Sequence, residues 1–133
     1  MLLVDDSAQY LRVARRILER SVSPRFKVHV VASGEDALAF LTRQPPFGDA
    51  PRPAFVLLDF NLPDIDAPVV LERLMRDDTL RLIPVLVLTQ TPWPEDAAAA
   101  LAAGASDYRA KPSRVSALRE LVTEFWRAHP HAD

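Results

Sequence analysis

The chain contains no cysteine, which excludes disulfides, thiolate metal sites and a cysteine nucleophile. No apolar run approaches the ~18 residues that a membrane-spanning helix needs. No secretory leader is visible, because residues 1–4 are too short for an apolar leader core and charge arrives at Asp5. The expectation is a cytoplasmic protein with no membrane contact. Positive charge is not in excess either: the formal net charge is -2, which gives no reason to expect nucleic-acid binding. What is present is ordinary for a globular chain. There are 133 residues, 49% hydrophobic and 26% charged, enough for one domain with a real core. Proline is frequent, at 12, and most of these residues fall between the periodic segments, where they stiffen loops.

Four apolar runs and a weaker fifth segment alternate with helical patterns. Leu2-Leu3-Val4 reads as a short buried strand. Ser7 caps a helix over 8–20, with Leu11, Ala14 and Leu18 on one stripe widened by Tyr10, Val13 and Ile17. Ser21-Val22-Ser23-Pro24 breaks it. Lys27 to Val31 is a β-branched second strand, and Ser33-Gly34-Glu35 opens a second helix carrying Ala37, Leu38, Phe40 and Leu41. Residues 43–53 form a Pro-rich loop. Ala54 to Leu58 is a continuous apolar run, as expected of a central parallel strand buried on both faces. Asn61 to Asp64 is a turn, and Asp66 caps a third helix with Pro68 in its first turn.

Pro84 to Leu88 is the fourth strand, with proline only at its first position. Pro92-Trp93-Pro94 is a stiff loop, residues 95–103 are an Ala-rich helix, and Gly104 stands at its left-handed cap. Ser106 to Ala110 is a weak edge strand. Residues 113–128 carry Val115, Leu118, Leu121, Val122, Phe125 and Trp126 at helical spacing. The expectation is an α/β fold: a doubly wound, flavodoxin-like five-stranded parallel sheet of order 2-1-3-4-5 with five flanking helices. No repeat and no second domain is visible.

In such a sheet the carboxyl ends of strands 1 and 3 flank the ligand crevice. That brings Asp5, Asp6 and Asp59 together, with Thr89 and Lys111 from the ends of strands 4 and 5. Carboxylates about 4 Å apart repel by roughly 4 kcal/mol at an effective dielectric near 20. Three of them stay ionised only beside a cation. All-oxygen ligands suit Mg²⁺, which keeps several waters and takes one or two carboxylates plus a phosphate. A carboxylate can also be a phosphoryl-accepting nucleophile. Lys111 supplies fixed positive charge and Thr89 a hydroxyl donor to a phosphoryl oxygen.

Val4-Asp5-Asp6, Leu57-Leu58-Asp59 with Asn61-Leu62-Pro63, Val87-Leu88-Thr89, Gly104-Ala105, Tyr108 and Lys111-Pro112 follow one another in this order. In this the chain resembles the CheY-like receiver domain of two-component response regulators. Phe40-Leu41, Arg52-Pro53 and Leu57 to Pro63 resemble, more narrowly, the single-domain branch that serves bacterial phytochrome histidine kinases. The resemblance implies that residues 1–133 are one receiver domain without an effector domain. It implies that Asp59 accepts phosphate from a sensor histidine kinase. Mg²⁺ (or Mn²⁺) would be held by Asp6, Asp59 and the Asn61 backbone carbonyl, with Asp5 acting mostly through water.

Lys111 would pair with Asp59 and then with the phosphoryl group, across a cis Lys111–Pro112 bond. Thr89 would move to the phosphoryl group and Tyr108 would swing inward behind it. Output would pass through the fourth helix, fifth strand and fifth helix, to a protein partner or a homodimer, or the protein would act as a relay or phosphate sink. Three features depart from the family. The chain begins almost on its first strand. Ala67 stands where glycine is common, at a cost of roughly 1–2 kcal/mol if that position is left-handed. Arg109 lies beside Tyr108, on the output surface.

Other readings stand beside these. Asp5-Asp6 alone also suits a solvated helix start. Asp59 alone suits a strand-end turn, Lys111-Pro112 a surface lysine and a loop proline, and Tyr108 a half-buried edge aromatic. Asp64 reads as a turn residue. His29, His129 and His131 lack metal-ligand spacing. Trp93, if exposed, suits a partner contact, and Phe125 with Trp126 suits a dimer face. An aspartyl-nucleophile phosphatase would have a second Asp at position 61, where this chain has Asn. A flavin protein would not put Asp5-Asp6 against a phosphate. A receiver-shaped scaffold that is never phosphorylated would not need all the acceptor residues.

Overall fold

Alternate residues of a strand point to opposite faces, and here both faces are apolar. The computed structural model describes residues 1–20 and 26–129. Its strands are β1 (Leu2–Val4), β2 (His29–Val31), β3 (Val56–Asp59), β4 (Val85–Thr89) and β5 (Asp107–Ala110). They pair in parallel in the order β2-β1-β3-β4-β5, as expected. The helices are α1 (Ala8–Glu19), α2 (Gly34–Leu41), α3 (Ala67–Met75), α4 (Pro94–Ala103) and α5 (Val115–Ala128). Leu2, Val4, Val56, Leu58, Val85 and Val87 pack against α2, α3 and α4. Leu3, Leu57, Leu86 and Leu88 pack on the other side against α1 and α5. Each fully buried Leu or Val contributes about 1.5–3 kcal/mol over exposure, so these two layers hold the sheet. Strands are added to one side of β1 and then, from β3 onward, to the other, which places the crevice at the carboxyl ends of β1 and β3. Among the described residues no helix is long and apolar enough to cross a membrane.

Local chemistry explains most helix ends. The Ser7 hydroxyl accepts from the Tyr10 N–H, and the Ser33 hydroxyl from the Asp36 N–H. Gly104 ends α4 at φ 121°, and a Cβ there would lie 2.6 Å from Met75 Cγ. Only glycine fits both demands. Asp66 holds the N-cap position of α3, but its side chain makes no capping bond, contrary to expectation; Pro68 in the first turn removes a donor instead. Pro94 is the first residue of α4 rather than part of the preceding loop. Among the described residues the cis peptide bond joins Pro45 and Pro46, so the one expected at Lys111–Pro112 is not found. Ala67 starts α3 fully buried and is not left-handed, so the missing glycine carries no backbone strain.

The surplus aromatics of α5 are used inside the chain. Phe125 packs on Phe55 at 5.9 Å, and Trp126 meets Phe26 edge-on at 6.3 Å. Both rings thus have contacts within the chain, and Trp126 stays half-buried. His29 lies against Phe40 and His129 against Phe125. Trp93 is 60% exposed, just before α4. The expected helix break at Ser21-Val22-Ser23-Pro24, and His131, lie outside the described residues.

Candidate functional site

β1 and β3 end side by side, with Leu58 registered against Val4. Asp5 follows β1 and Asp59 closes β3, so parallel pairing alone brings their carboxylates together. One oxygen from each of Asp5, Asp6 and Asp59 lies within 4.8 Å of the others. Asp5 is 2% exposed, Asp59 is 8% exposed, and Asp6 faces solvent. The three acids line a cleft of about 390 Å³, with Tyr10, Asn61 and Lys111 on its walls. Gln90 and Thr91 complete the rim.

The cluster is electrostatically unfinished. Burial first, then the charges of Asp5 and Asp6, raise the Asp59 carboxyl to about 6, although Lys111 and the Asn61 N–H pull it down. The Asn61 N–H donates to Asp59 Oδ1 over a long 3.4 Å. A group of hard oxygen donors with one exposed member suits a hydrated divalent cation. The donor set therefore fits the metal that the sequence implies.

Lys111 departs from expectation. Its ammonium donates to Asp5 Oδ2, not to Asp59, and its side chain is only 9% exposed. The other Asp5 oxygen accepts from the Ser7 N–H at 3.0 Å. Lys111 is delivered by the backbone, where its N–H donates to the Thr89 carbonyl at 2.7 Å. Its Nζ lies 4.2 Å from the centroid of the Tyr10 ring. The Tyr10 hydroxyl is buried without a hydrogen-bond partner. Burial, then Asp5 and Asp59, push its phenol above the usual range.

Thr89 is fully buried at the end of β4. Its hydroxyl faces its own loop, donating to the Thr91 carbonyl and accepting from the Thr91 N–H, both at 3.3 Å. These are long for hydrogen bonds and easily exchanged. Tyr108 pairs in register with Val87, two residues before Thr89 and on the same face of the sheet. Its ring packs edge-on to Phe60 at 6.0 Å, with the hydroxyl buried toward Thr89. Burial raises its phenol too. Arg109 turns to Asp107 at 3.0 Å.

Two site residues escape the sequence reading. Helical spacing puts Tyr10 on the apolar stripe of α1, yet it stands on the crevice wall one turn after Asp6. Asp64 reads as a turn residue, yet its carboxylate accepts from the Gly34 N–H at 2.9 Å and the Glu35 N–H at 2.8 Å. It caps α2 from the loop that follows Asp59. These bonds hold its carboxyl below the usual range, against the effect of burial. A Cβ on Gly34 would lie 2.5 Å from Ile65 Cγ1, so glycine admits the loop.

Comparison with known proteins agrees with this fold. Response regulator Rcp1 of Synechocystis sp. is 32% identical over 129 residues, covering 95% of this chain and 87% of that protein. The phosphorylated cyanobacterial phytochrome response regulator RcpA superposes with TM-score 0.84 at 31% identity, over 97% of this chain and 94% of that one. The Mn(2+)-bound form of Rcp1 gives TM-score 0.79 at 32% identity, over 92% and 88%. The response regulator receiver domain family matches residues 1–123, and the chain belongs to that family.

Proposed function

We propose that this receiver domain takes a phosphoryl group on Asp59 from the phosphohistidine of a sensor histidine kinase, with Mg²⁺ as the divalent cation. The convergence of Asp5, Asp6 and Asp59 within 4.8 Å, with Lys111 beside them, carries the reading. A bound cation would be held by Asp6, Asp59 and the Asn61 carbonyl, with Asp5 mostly through water, and would neutralise charge on the acids and the incoming phosphoryl oxygens. An Asp59 oxygen attacks phosphorus, the phosphorus–nitrogen bond breaks, and the imidazole leaves with its electron pair. Lys111 then exchanges Asp5 for the new charge, and Thr89 gives up its long bonds to Thr91 for a phosphoryl oxygen. Phosphorylation adds roughly -1.5 to -2 charges, enough to bias such a switch.

Tyr108 follows Thr89 on the same face, so the output surface is α4, β5 and α5, with Trp93 exposed at its edge. The likeness to RcpA supports a phytochrome as the kinase's sensor. The receiver of the signal is a protein partner or a second copy of this chain. Incubation with a small acyl-phosphate donor and Mg²⁺ tests the reading. One added phosphoryl group by intact mass, absent in Asp59→Asn and with chelator, is expected. Equal incorporation in Asp59→Asn overturns it.

A further inference from the structure

Four contacts close a ring around the ammonium of Lys111. The Ser7 N–H donates to Asp5 Oδ1, and the Tyr10 N–H donates to Ser7 Oγ. The Tyr10 ring lies over Lys111 Nζ at 4.2 Å, and Lys111 Nζ returns to Asp5 Oδ2. A cation within about 6 Å of a ring centroid is attracted by the ring's quadrupole, and more strongly where water is excluded. Here the lysine side chain is 9% exposed. The Tyr10 hydroxyl has no partner, so the ring face, not the hydroxyl, makes the contact with the site.

We propose that Tyr10 is a positioning residue for Lys111: its ring face holds the ammonium, stripped of water, where it can pass from Asp5 to the phosphoryl group on Asp59. The inference rests on Asp59 being the phosphoacceptor. The first turn of α1, capped by Ser7, aims the ring. A lysine without that wall would sample solvent and spend less time in reach of Asp59. A side chain that merely fills the α1 stripe would have no such coupling to Lys111.

The test compares Tyr10→Phe with Tyr10→Leu in the whole chain. Tyr10→Phe keeps the ring and is expected to incorporate phosphate from the acyl donor within about twofold of wild type. Tyr10→Leu is expected to slow it by about five- to tenfold. In a Lys111→Ala background, Tyr10→Leu should change the residual rate by less than about twofold, because its effect passes through Lys111. Lys27 and Lys111 are the chain's two lysines, so the side-chain NMR signals of Lys111 are assigned by Lys111→Arg. Their ring-current shift should persist in Tyr10→Phe and vanish in Tyr10→Leu, with or without phosphate donor. Tyr10→Leu with wild-type rate and shift overturns the proposal, as does a Tyr10→Phe that falls as far as Tyr10→Leu. Wild-type protein that takes up no phosphate, with the ring-current shift intact, overturns the Asp59 reading instead.

Discussion

Lys111 pairs directly with Asp5, and its charge only partly offsets the burial of Asp59. In the proposed mechanism the cation that meets the phosphoryl group starts on a neighbouring carboxylate. Removing one partner of a buried ion pair costs more than the pair itself contributes, because a charge is left without compensation. Lys111→Met should therefore destabilise the metal-free protein at pH 7 by about 3 kcal/mol. Asp5→Asn in the same chain should recover part of that loss, a non-additivity read from paired urea denaturation curves.

Asp59 gives the metal-free protein a pH dependence of definite sign. Its folded value of about 6 lies above the ~3.9 of an unfolded Asp, so folding favours the protonated form. Its contribution to stability is full below about pH 4 and is lost as pH rises through about 6. Asp59→Asn should be more stable than wild type by on the order of 2 kcal/mol at pH 8, with the gap closing toward pH 4. Thermal melts with chelator at both pH values check this. The difference between the two proteins cancels the titration of His29, which is shared.

Asp64 ties the loop after Asp59 to α2, and Gly34 makes room for it. Asp64→Ala should cost about 1 kcal/mol, as for other lost helix caps. Because the folded Asp64 carboxyl is lowered, this contribution is present above the unfolded value near 3.9 and fades as pH falls through the folded one. Gly34→Ala should cost about 1–3 kcal/mol through overpacking against Ile65. Chemical denaturation of the two variants measures both losses.

Gly104 satisfies a backbone and a packing demand at once. Gly104→Ala should cost about 1–2 kcal/mol for the left-handed backbone, and more for the contact with Met75. Met75→Ala in the same chain should relieve only the second part. Urea midpoints of the single and double variants separate the two.

The architecture is legible because four apolar runs and a weak fifth strand, separated by helical patterns, fit a doubly wound sheet. Asp5, Asp6 and Asp59 were legible because strand ends in a parallel sheet share one edge. Strand limits were less so. β3 is expected at 54–58 but pairs over Val56–Asp59, with the Phe55 carbonyl accepting from the Leu2 N–H at its start. The partners of Lys111, Tyr10 and Asp64 were not legible. Helical spacing is the same for a ring in the core and a ring on a crevice wall. Asp64 meets Gly34 across 30 residues, and Lys111 meets Asp5 across 106. Such pairings follow from tertiary approach, which leaves no local pattern.

The most direct test of the central claim is the chemical identity of residue 59 after phosphorylation. Protein treated with an acyl-phosphate donor and Mg²⁺ is reduced with borohydride, which converts an aspartyl phosphate to homoserine, and is mapped by peptide mass. Homoserine at position 59, and at neither Asp5 nor Asp6, is the predicted result. Homoserine at Asp5 or Asp6, or an unmodified Asp59 in protein that has gained phosphate, would contradict the account.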